Sequence, residues 1–443
     1  MSSTLILILV VVGAYLAAHV AFGWLARRFD VISGAEYVLL GILLGPEVSG
    51  LISSSVVGSF APILTLALGW IGAVVGAQFY LPVVSRIPLI DFRVAFIEAT
   101  LTLALVSAAM TGVFMWLFGL SAAQAVFPSV AMGAVATVSA PSGIALTVRR
   151  LGRRVSVARQ LEVATAIDAL AAITAFGLLL AIGHAAPETA VRAPTPTEWA
   201  VIGIAIGIVG GALFHLFLGG EQEVDRLFIG LSGAIILASG AAAYLRLSPL
   251  FPAMLIGFIL INTSANRDAI KEVLGRVERP LYFVLLIFAG AAWQWGGMIW
   301  TVPVVLFLVA RVLAKIAGGG IAAALTQSTS RLGLGWGRAL FGQGALAIAI
   351  GLNYQIVGDL PFAGVVFTAS IVSVLLTDFT SARWAHSVLG PWLRRRGRTA
   401  RPEAGAEQAE PEREGPGRAS AVQTGPGREG PTRTGAAPRE GEA

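Results

Sequence analysis

Asp168 stands out chemically because it lies inside a long apolar run. Residues 161–173 read LEVATAIDALAAI and contain no Lys or Arg. Burial strips water from a carboxylate and disfavours its charged form, and an ionisable group inside a membrane-length segment is a functional hypothesis by default. The pattern predicts a carboxylate at which a proton and a cation compete. The alternative is a structural acid that hydrogen-bonds to helix ends and water.

A second group of polar residues precedes this run in the chain, at 137–143. Thr137, Ser139, Pro141, Ser142 and Gly143 interrupt an apolar stretch. Proline removes a backbone donor and breaks a helix, and freed carbonyls of broken spans can coordinate a monovalent cation. We therefore expect the three hydroxyl residues to share cation and proton binding with the acid, while the proline and the glycine form a helix break. The alternative is a simple proline kink.

A matching interruption is predicted near the end of the apolar region. Gly342, Gln343 and Gly344 break the stretch 337–357, although Gln343 could instead hydrogen-bond to a neighbouring helix. The short apolar stretches 35–50 and 247–263 also resemble each other in their Pro and Gly content. In each pair, the two members lie seven spans apart. An odd offset reverses orientation, as in an inverted repeat with a transport site near the membrane midplane.

Four further charged residues lie inside apolar stretches: Glu98, Glu162, Arg311 and Lys315. The two basic residues are four positions apart, so they lie on the same face of a helix. We expect them to support the site as structural ion pairs with Glu162, Asp168 or Glu98.

Composition excludes several classes of protein. The 443 residues are 56% hydrophobic and 13% charged, and the mean hydropathy is +0.80; soluble domains carry about 25% charged residues. There is no Cys and there are four His, which argues against thiolate or His-rich metal sites. Enzyme motifs such as a Walker loop or HExxH are absent from the sequence. We expect no enzymatic activity, no metal, no cofactor and no nucleic-acid partner.

The apolar stretches predict an all-α polytopic protein in a lipid bilayer, since a span needs about 20 apolar residues. Thirteen stretches are separable, at 4–26, 35–53, 60–80, 93–118, 124–148, 160–184, 198–218, 227–246, 249–263, 280–298, 301–325, 337–357 and 362–380. The charged segment 264–279 is predicted to be a short amphipathic helix on the membrane surface. Residues 1–393 form the predicted transmembrane transporter domain. Residues 394–443 are predicted to be a disordered cytoplasmic tail, because they contain almost no large apolar residue.

The basic residues predict the orientation. Loops after odd-numbered spans contain sixteen Arg and Lys, whereas those after even-numbered spans contain only Arg192 and Arg246. Cytoplasmic loops are enriched in basic residues, so the N-terminus is expected outside and the C-terminus inside a cell membrane. Glu36 and Glu47 are expected to be solvated near the interfaces.

Five phrases together resemble the monovalent cation:proton antiporter superfamily, whose members include sodium/hydrogen exchangers. They read AEYVLLGILLGP, SAPSG, AIDALAAITAFGLL, LSPLFPAMLIGFIL and FGQGALAIAI, and the similarity covers about residues 4–380. The resemblance implies about 13 transmembrane helices in an inverted-repeat fold, with interrupted helices at spans 5 and 12. It also implies a homodimer that exchanges sodium or potassium for protons by an elevator-like movement.

Two positions depart from the pattern of that family. Its ion-binding Asp corresponds to Ala169, next to the retained Asp168, and the Lys of its electrogenic members corresponds to Ala292. One step along a helix rotates a side chain by about 100°, so Asp168 does not simply replace the missing acid. Three hypotheses follow: cation/proton exchange at Asp168 alone, transport of another solute such as an organic anion, or a membrane sensor or assembly factor that transports nothing.

Overall fold

The structure is a computed structural model that describes residues 34–141, 144–145, 156–184, 194–221, 223–328 and 333–399. The first predicted span, 4–26, and the tail beyond residue 399 lie outside the described residues. The chain divides into a unit of residues 1–395 and a terminal unit of residues 396–443. The packing described below concerns the first unit.

The described part of the chain contains helices and no strand. In chain order its α-helices are α1 (Ala35–Leu44), α2 (Ser54–Ser59), α3 (Ala61–Ala77), α4 (Leu81–Val84), α5 (Leu89–Phe118), α6 (Ala122–Thr137), α7 (Ser156–Ile182), α8 (Pro196–Leu218), α9 (Val224–Tyr244), α10 (Leu250–Thr263), α11 (Arg267–Ala292), α12 (Thr301–Leu325), α13 (Ala345–Ile356) and α14 (Ala363–Thr399). Short 3₁₀ helices, Met298–Trp300 and Trp336–Leu340, precede α12 and α13.

Five of these segments are long and apolar enough to cross a membrane: Leu89–Phe118, Ala158–Ile182, Pro196–Leu218, Val224–Tyr244 and Met298–Leu325. Their outer surfaces expose large apolar side chains such as Phe217, Ile229 and Leu313. Such a surface suits lipid, in which apolar side chains lose nothing by exposure.

The helices form two groups by their most extensive contacts, and one large apolar cluster contains residues of both groups. In one group, α5 contacts α6, α7 and α12, and α6 also contacts α13. In the other, α3 contacts α9, α10 and α11, α1 packs on α11, and α8 packs on α10. The first group carries Asp168 and the other predicted site residues. Its packing therefore decides which of them meet.

Local sequence explains where several helices begin. The hydroxyl oxygen of Ser121 accepts a hydrogen bond from the backbone amide of Gln124, and the side-chain oxygen of Gln124 accepts one from the backbone amide of Ser121, so α6 begins with a capping box. Thr195 and Glu198 form the same arrangement at α8. Both pairs satisfy backbone donors that a helix start leaves without intrahelical partners.

Segment 264–279 differs from its prediction. It is continuous with the following span in the single helix α11, and its apolar residues Ile270, Val273 and Leu274 are buried in the protein. Pro280 lies inside this helix. A proline removes only one helical hydrogen bond, and here the surrounding packing maintains the helix. The amphipathic face is covered by other helices.

Close approaches set the position of α12. A Cβ on Gly337 would lie 2.1 Å from the carbonyl oxygen of Lys315, and one on Gly319 would lie 2.9 Å from the Cα of Gly337. The indole of Trp336 donates to the carbonyl of Gly319 at 2.7 Å. Absent side chains thus let the 3₁₀ turn lie directly on the stretch of α12 that carries Lys315.

The last predicted domain boundary, between residues 393 and 394, falls within α14, which continues to Thr399. The predicted disorder of residues 400–443 concerns a part of the chain that the structure does not describe.

Candidate functional site

Asp168 is completely buried on α7, and a lysine from a distant helix compensates its charge. The ammonium of Lys315 on α12 lies 2.8 Å from Oδ2 of Asp168, and neither side chain is exposed. The other oxygen, Oδ1, is buried and has no hydrogen-bond partner among the described residues. Residues 161–173 of α7 contain no basic residue, but the fold supplies one from 147 positions away.

The same ammonium also binds Glu98 on α5. Its distances to the two carboxylate oxygens of Glu98 are 3.2 Å and 3.4 Å, and it donates to the carbonyl of Thr137 at 3.0 Å. Thr102 donates its hydroxyl to Glu98 at 2.8 Å. Glu98 and Thr102 are fully buried. We call Glu98, Asp168 and Lys315 the buried triad.

Arg311 lies one turn before Lys315 and is buried as well, but its hydrogen bonds go to backbone carbonyls. It donates to the carbonyls of Ala136 at 3.2 Å, Val138 at 3.2 Å and Phe341 at 2.9 Å. Hence Lys315 forms the expected buried ion pairs, whereas Arg311 fastens the end of α6 to the segment before α13.

Glu162, which we expected among the supporting charges, does not join this cluster. Its side chain is exposed on α7, and its backbone carbonyl accepts a hydrogen bond from the hydroxyl of Thr165. Among the three candidate acids, Asp168 and Glu98 therefore meet Lys315 and Glu162 lies apart from it.

Two non-helical segments meet beside the triad. Helix α6 ends at Thr137, and 341–344 is non-helical before α13 begins. The amide of Ala140 donates to the carbonyl of Gly342 at 2.8 Å, and the hydroxyl of Ser139 donates to the carbonyl of Leu340 at 3.0 Å. The predicted interruptions of the sequence are therefore adjacent in space.

Gln343 connects this contact to its surroundings. Its side-chain amide donates to the carbonyl of Val135 at 2.7 Å, and its carbonyl oxygen accepts a hydrogen bond from Ser373 on α14. Gly342 and Gly344 allow the approach, since Cβ atoms there would lie 2.9 Å from the Cβ of Ser381 and 3.3 Å from the Cβ of Ala140.

The predicted hydroxyl ligands also donate to the backbone. Thr137 donates to the carbonyl of Gly133 at 2.9 Å, and Ser139 bonds as described above. Their lone pairs are the remaining capacity for a cation. Pro141 is exposed, and Ser142 and Gly143 lie outside the described residues.

A cavity of about 540 Å³ lies next to the contact between the two segments. Thr165 and Ala169 of α7 line it, together with Ser139 and Gly344, whereas Asp168 is not among its lining residues. Ala169 is 7% exposed. The rotation between neighbouring helix positions thus turns Ala169 towards the cavity and Asp168 towards Lys315.

The cavity has charged groups on its wall: Glu36 of α1, and Glu278 and Arg279 of α11. One oxygen of Glu36 is buried without a hydrogen-bond partner in the described part of the chain, so the expectation that Glu36 is simply solvated is wrong. Burial raises the pKa of Glu278, and the neighbouring guanidinium of Arg279 lowers it by less. The described residues include no group of three His, Asp or Glu that could hold a metal ion.

Sequence reasoning missed the contact of Thr102 and the cavity position of Glu278. Thr102 lies one helical turn after Glu98, a spacing at which side chains meet, and this spacing could have indicated the hydrogen bond. No local signal distinguishes Glu278 from the other charges of its segment.

The arrangement of helices matches that of a known transporter. The sodium proton antiporter MjNhaP1 from Methanocaldococcus jannaschii, in a structure at pH 8, superposes with a TM-score of 0.64 at 14% identity, covering 88% of this chain and 100% of the antiporter. Its electron-microscopy structure gives a TM-score of 0.60 at 15% identity, covering 91% and 99% of the two chains. The chain has the fold of this antiporter.

Neither a protein-family model nor a curated protein matches the sequence. The likeness therefore concerns the fold. It confirms the prediction of an all-α polytopic membrane protein with an antiporter-like architecture.

Proposed function

We propose that the chain is a secondary active transporter, not an enzyme, that exchanges a monovalent cation, sodium or potassium, for protons by alternating access. The observation that carries this proposal is the buried pair of Asp168 and Lys315, beside two non-helical segments and a cavity. Burying charge is costly, and an ionisable group at such a depth is most often functional. The antiporter fold supplies the architecture in which such a site works.

The chemistry needs one carboxylate and one competing ammonium. The buried acidic site around Asp168 holds either a proton or a monovalent cation, while the ammonium of Lys315 pairs with the ionised Asp168. One cation enters as one proton leaves, so the exchange carries no net charge. The two ions compete for the same buried site, which prevents both from occupying it at once.

The charges of the cavity favour a cation over an anion. Two carboxylates, Glu36 and Glu278, face one guanidinium, Arg279, in its lining. A cleft lined with excess charge of one sign raises the local concentration of ions of the opposite sign. The organic-anion hypothesis lacks a comparable observation.

An ion pair between a lysine and Asp168 does not require a lysine at the position of Ala292. Ala292 is the last residue of α11, and the lysine that reaches Asp168 comes from α12 instead. The Ala at this position is thus compatible with an ion pair in the transport site. The alanine at 169 still implies a site with different geometry from that of the resembled family.

We also propose the finer features that the resemblance implies: thirteen spans, an external N-terminus, a cytoplasmic C-terminus, interrupted helices at spans 5 and 12, and a homodimer. The contact between Ala140 and Gly342 supports the interrupted pair. Reporter fusions at both termini test the orientation. Cross-linking in native membranes tests the dimer. A single species at monomer mass after cross-linking would refute it.

Proton flux in everted vesicles tests the function. With wild-type protein, we expect sodium or potassium chloride to dissipate an imposed pH gradient. Lithium chloride and choline chloride are tested alongside. Asp168→Asn should abolish this dissipation, since an amide binds neither a proton nor a cation with the same strength. Glu47→Gln, which changes an exposed glutamate, is the matched control and should resemble wild type.

Other outcomes identify the alternatives. Wild-type behaviour of Asp168→Asn would refute the site assignment. Cation-independent uptake of an organic anion would favour the second hypothesis. Absence of any flux together with a co-purifying protein would favour a sensor or assembly factor.

A further inference from the structure

Two carboxylates from different helices share one ammonium in the buried triad. Glu98 on α5 and Asp168 on α7 both lie within hydrogen-bond distance of Lys315, and all three side chains have no exposure. The proposed function uses Asp168. It leaves the presence of Glu98 in the same dry site unexplained.

Formal charges within the triad do not balance. Two carboxylates face one ammonium, which leaves one negative charge in excess. Arg311 is the other buried cation nearby, but its donors bind the carbonyls of Ala136, Val138 and Phe341. Two of these carbonyls lie at the end of α6, where a helix carries a partial negative charge. Arg311 also interacts electrostatically with Asp168 and Glu98, but among the described residues only Lys315 forms a direct ion pair with either acid.

Among the described residues, Lys315 alone forms an ion pair with Glu98. Of the helices packed against α5, α7 contributes Asp168 and α12 contributes Lys315 and Arg311. Helix α6 contains no ionisable side chain and contributes backbone carbonyls. A buried charge without a direct partner of its own is strongly disfavoured, so the triad is more stable when it holds one further positive charge.

We propose that Glu98 is the second carboxylate of the transport site and carries the exchanged proton, which it releases when a monovalent cation binds between Glu98 and Asp168. The O–H bond of the Glu98 carboxyl breaks, the proton leaves to water, and the cation takes its charge. No other bond changes. This inference rests on the proposed function and adds a residue that binds the transported ions.

The geometry assigns different parts to the two acids. Asp168 makes the shorter contact with Lys315 through Oδ2, and its unpartnered Oδ1 can coordinate the cation. Glu98 makes longer contacts with Lys315 and receives the hydroxyl of Thr102. The hydroxyl stabilises Glu98 when its proton has gone, because a hydrogen bond to a carboxylate favours the charged form.

Proton release from purified protein in detergent tests the inference without requiring transport. Sodium, potassium or lithium chloride is added to weakly buffered protein across a pH series, with choline chloride as the blank. We expect wild type and Glu47→Gln to release one proton per bound cation. Glu98→Gln should release no more than the blank, since its amide resembles the protonated carboxyl and cannot ionise. Equal release from Glu98→Gln and wild type would overturn the proposal.

Two further variants separate this role from structural support. Thr102→Val keeps the shape of the side chain but removes the donor to Glu98, and it should move the midpoint of release to higher pH. Glu98→Asp keeps an ionisable group and should retain release with a changed midpoint. An unchanged midpoint of proton release in Thr102→Val would contradict the assignment of the proton to Glu98. This test applies even if Glu98→Gln does not fold.

The two proposals fail in different ways. If wild type neither releases protons nor exchanges cations in vesicles, the proposed function is wrong. If wild type does both and Glu98→Gln still releases one proton, the exchange is real and only the role of Glu98 is wrong.

Discussion

The ammonium of Lys315 lies 2.8 Å from a carboxylate oxygen of Asp168 in a region that solvent does not reach. In such a place, the partners depend on each other, because either charge left alone would face a low-dielectric interior. This pair links α7 to α12, and Glu98 extends the link to α5, on which both helices pack.

Replacing Lys315 with methionine should destabilise the fold. Loss of one partner from a buried ion pair costs about 3–5 kcal/mol, so the midpoint of thermal unfolding in detergent should fall clearly. Adding Asp168→Asn to this variant should restore part of the loss, since it removes a charge that has lost its partner.

Lys271 provides a matched control, because the chain contains only two lysines. It is more than half exposed and lies 3.9 Å from Asp268, and exposed pairs contribute about 0–1 kcal/mol. Equal unfolding midpoints for Lys315→Met and Lys271→Met would contradict the buried pair.

Arg311→Lys should weaken the contact between α6 and the segment before α13 although the charge is kept. A planar guanidinium fork reaches three carbonyls here, whereas the compact ammonium of a lysine cannot reproduce that geometry. Each hydrogen bond to a charged group contributes about 1.5–3 kcal/mol. We expect lower thermal stability and reduced exchange, measured by unfolding and vesicle flux. Arg276→Lys on the exposed side of α11 should change neither, and a similar result for both arginines would refute this role of Arg311.

Ala169→Asp should change the exchange rather than only impair it. Ala169 faces the cavity, where Asp168 does not, so a carboxylate there adds a second negative group on the ion pathway. We expect half-maximal flux at lower cation concentration and a flux that responds to membrane potential, because one more positive charge moves in each cycle. Ala169→Asn has nearly the same volume without the charge, and identical kinetics of the two variants would contradict this prediction.

Glu278 should make stability depend on pH. Its folded pKa is raised above the ordinary glutamate value of 4.5, chiefly by burial, so its protonated form favours folding. This contribution is complete below that ordinary value and is lost as pH rises through the folded pKa. Glu278→Gln should therefore unfold at a higher temperature than wild type at neutral pH.

In acid, wild type and Glu278→Gln should unfold at similar temperatures. The same variant should need more cation for half-maximal flux, since the cavity wall loses a negative charge. Parallel stability curves over the whole pH range would show that Glu278 does not titrate between the two pKa values.

The sequence determines much of the architecture by itself. Long apolar segments can satisfy their backbone in a membrane only as helices or closed barrels, and the lengths of the runs here select helices. The positions of Asp168 and Ala169 also determine which of two neighbouring faces of α7 carries an acid. Pro141, Gly342 and Gly344 mark the two places where helices end near the site.

Other boundaries and partners depend on packing. Pro280 favours the end of a helix in isolation, yet α11 continues through it because neighbouring helices bury its residues on both sides. Glu162 and Glu98 are equivalent in type, and only their surroundings make one exposed and the other buried.

The sequence alone shows that Glu98, Asp168, Arg311 and Lys315 need partners, since a charge inside an apolar span must be compensated. It does not identify those partners, because they lie up to 217 positions apart and depend on the rotation of each helix about its axis. Close contacts such as that between Gly337 and Lys315 set those rotations. Tertiary packing therefore decided that Lys315 binds the two acids and that Arg311 binds the backbone.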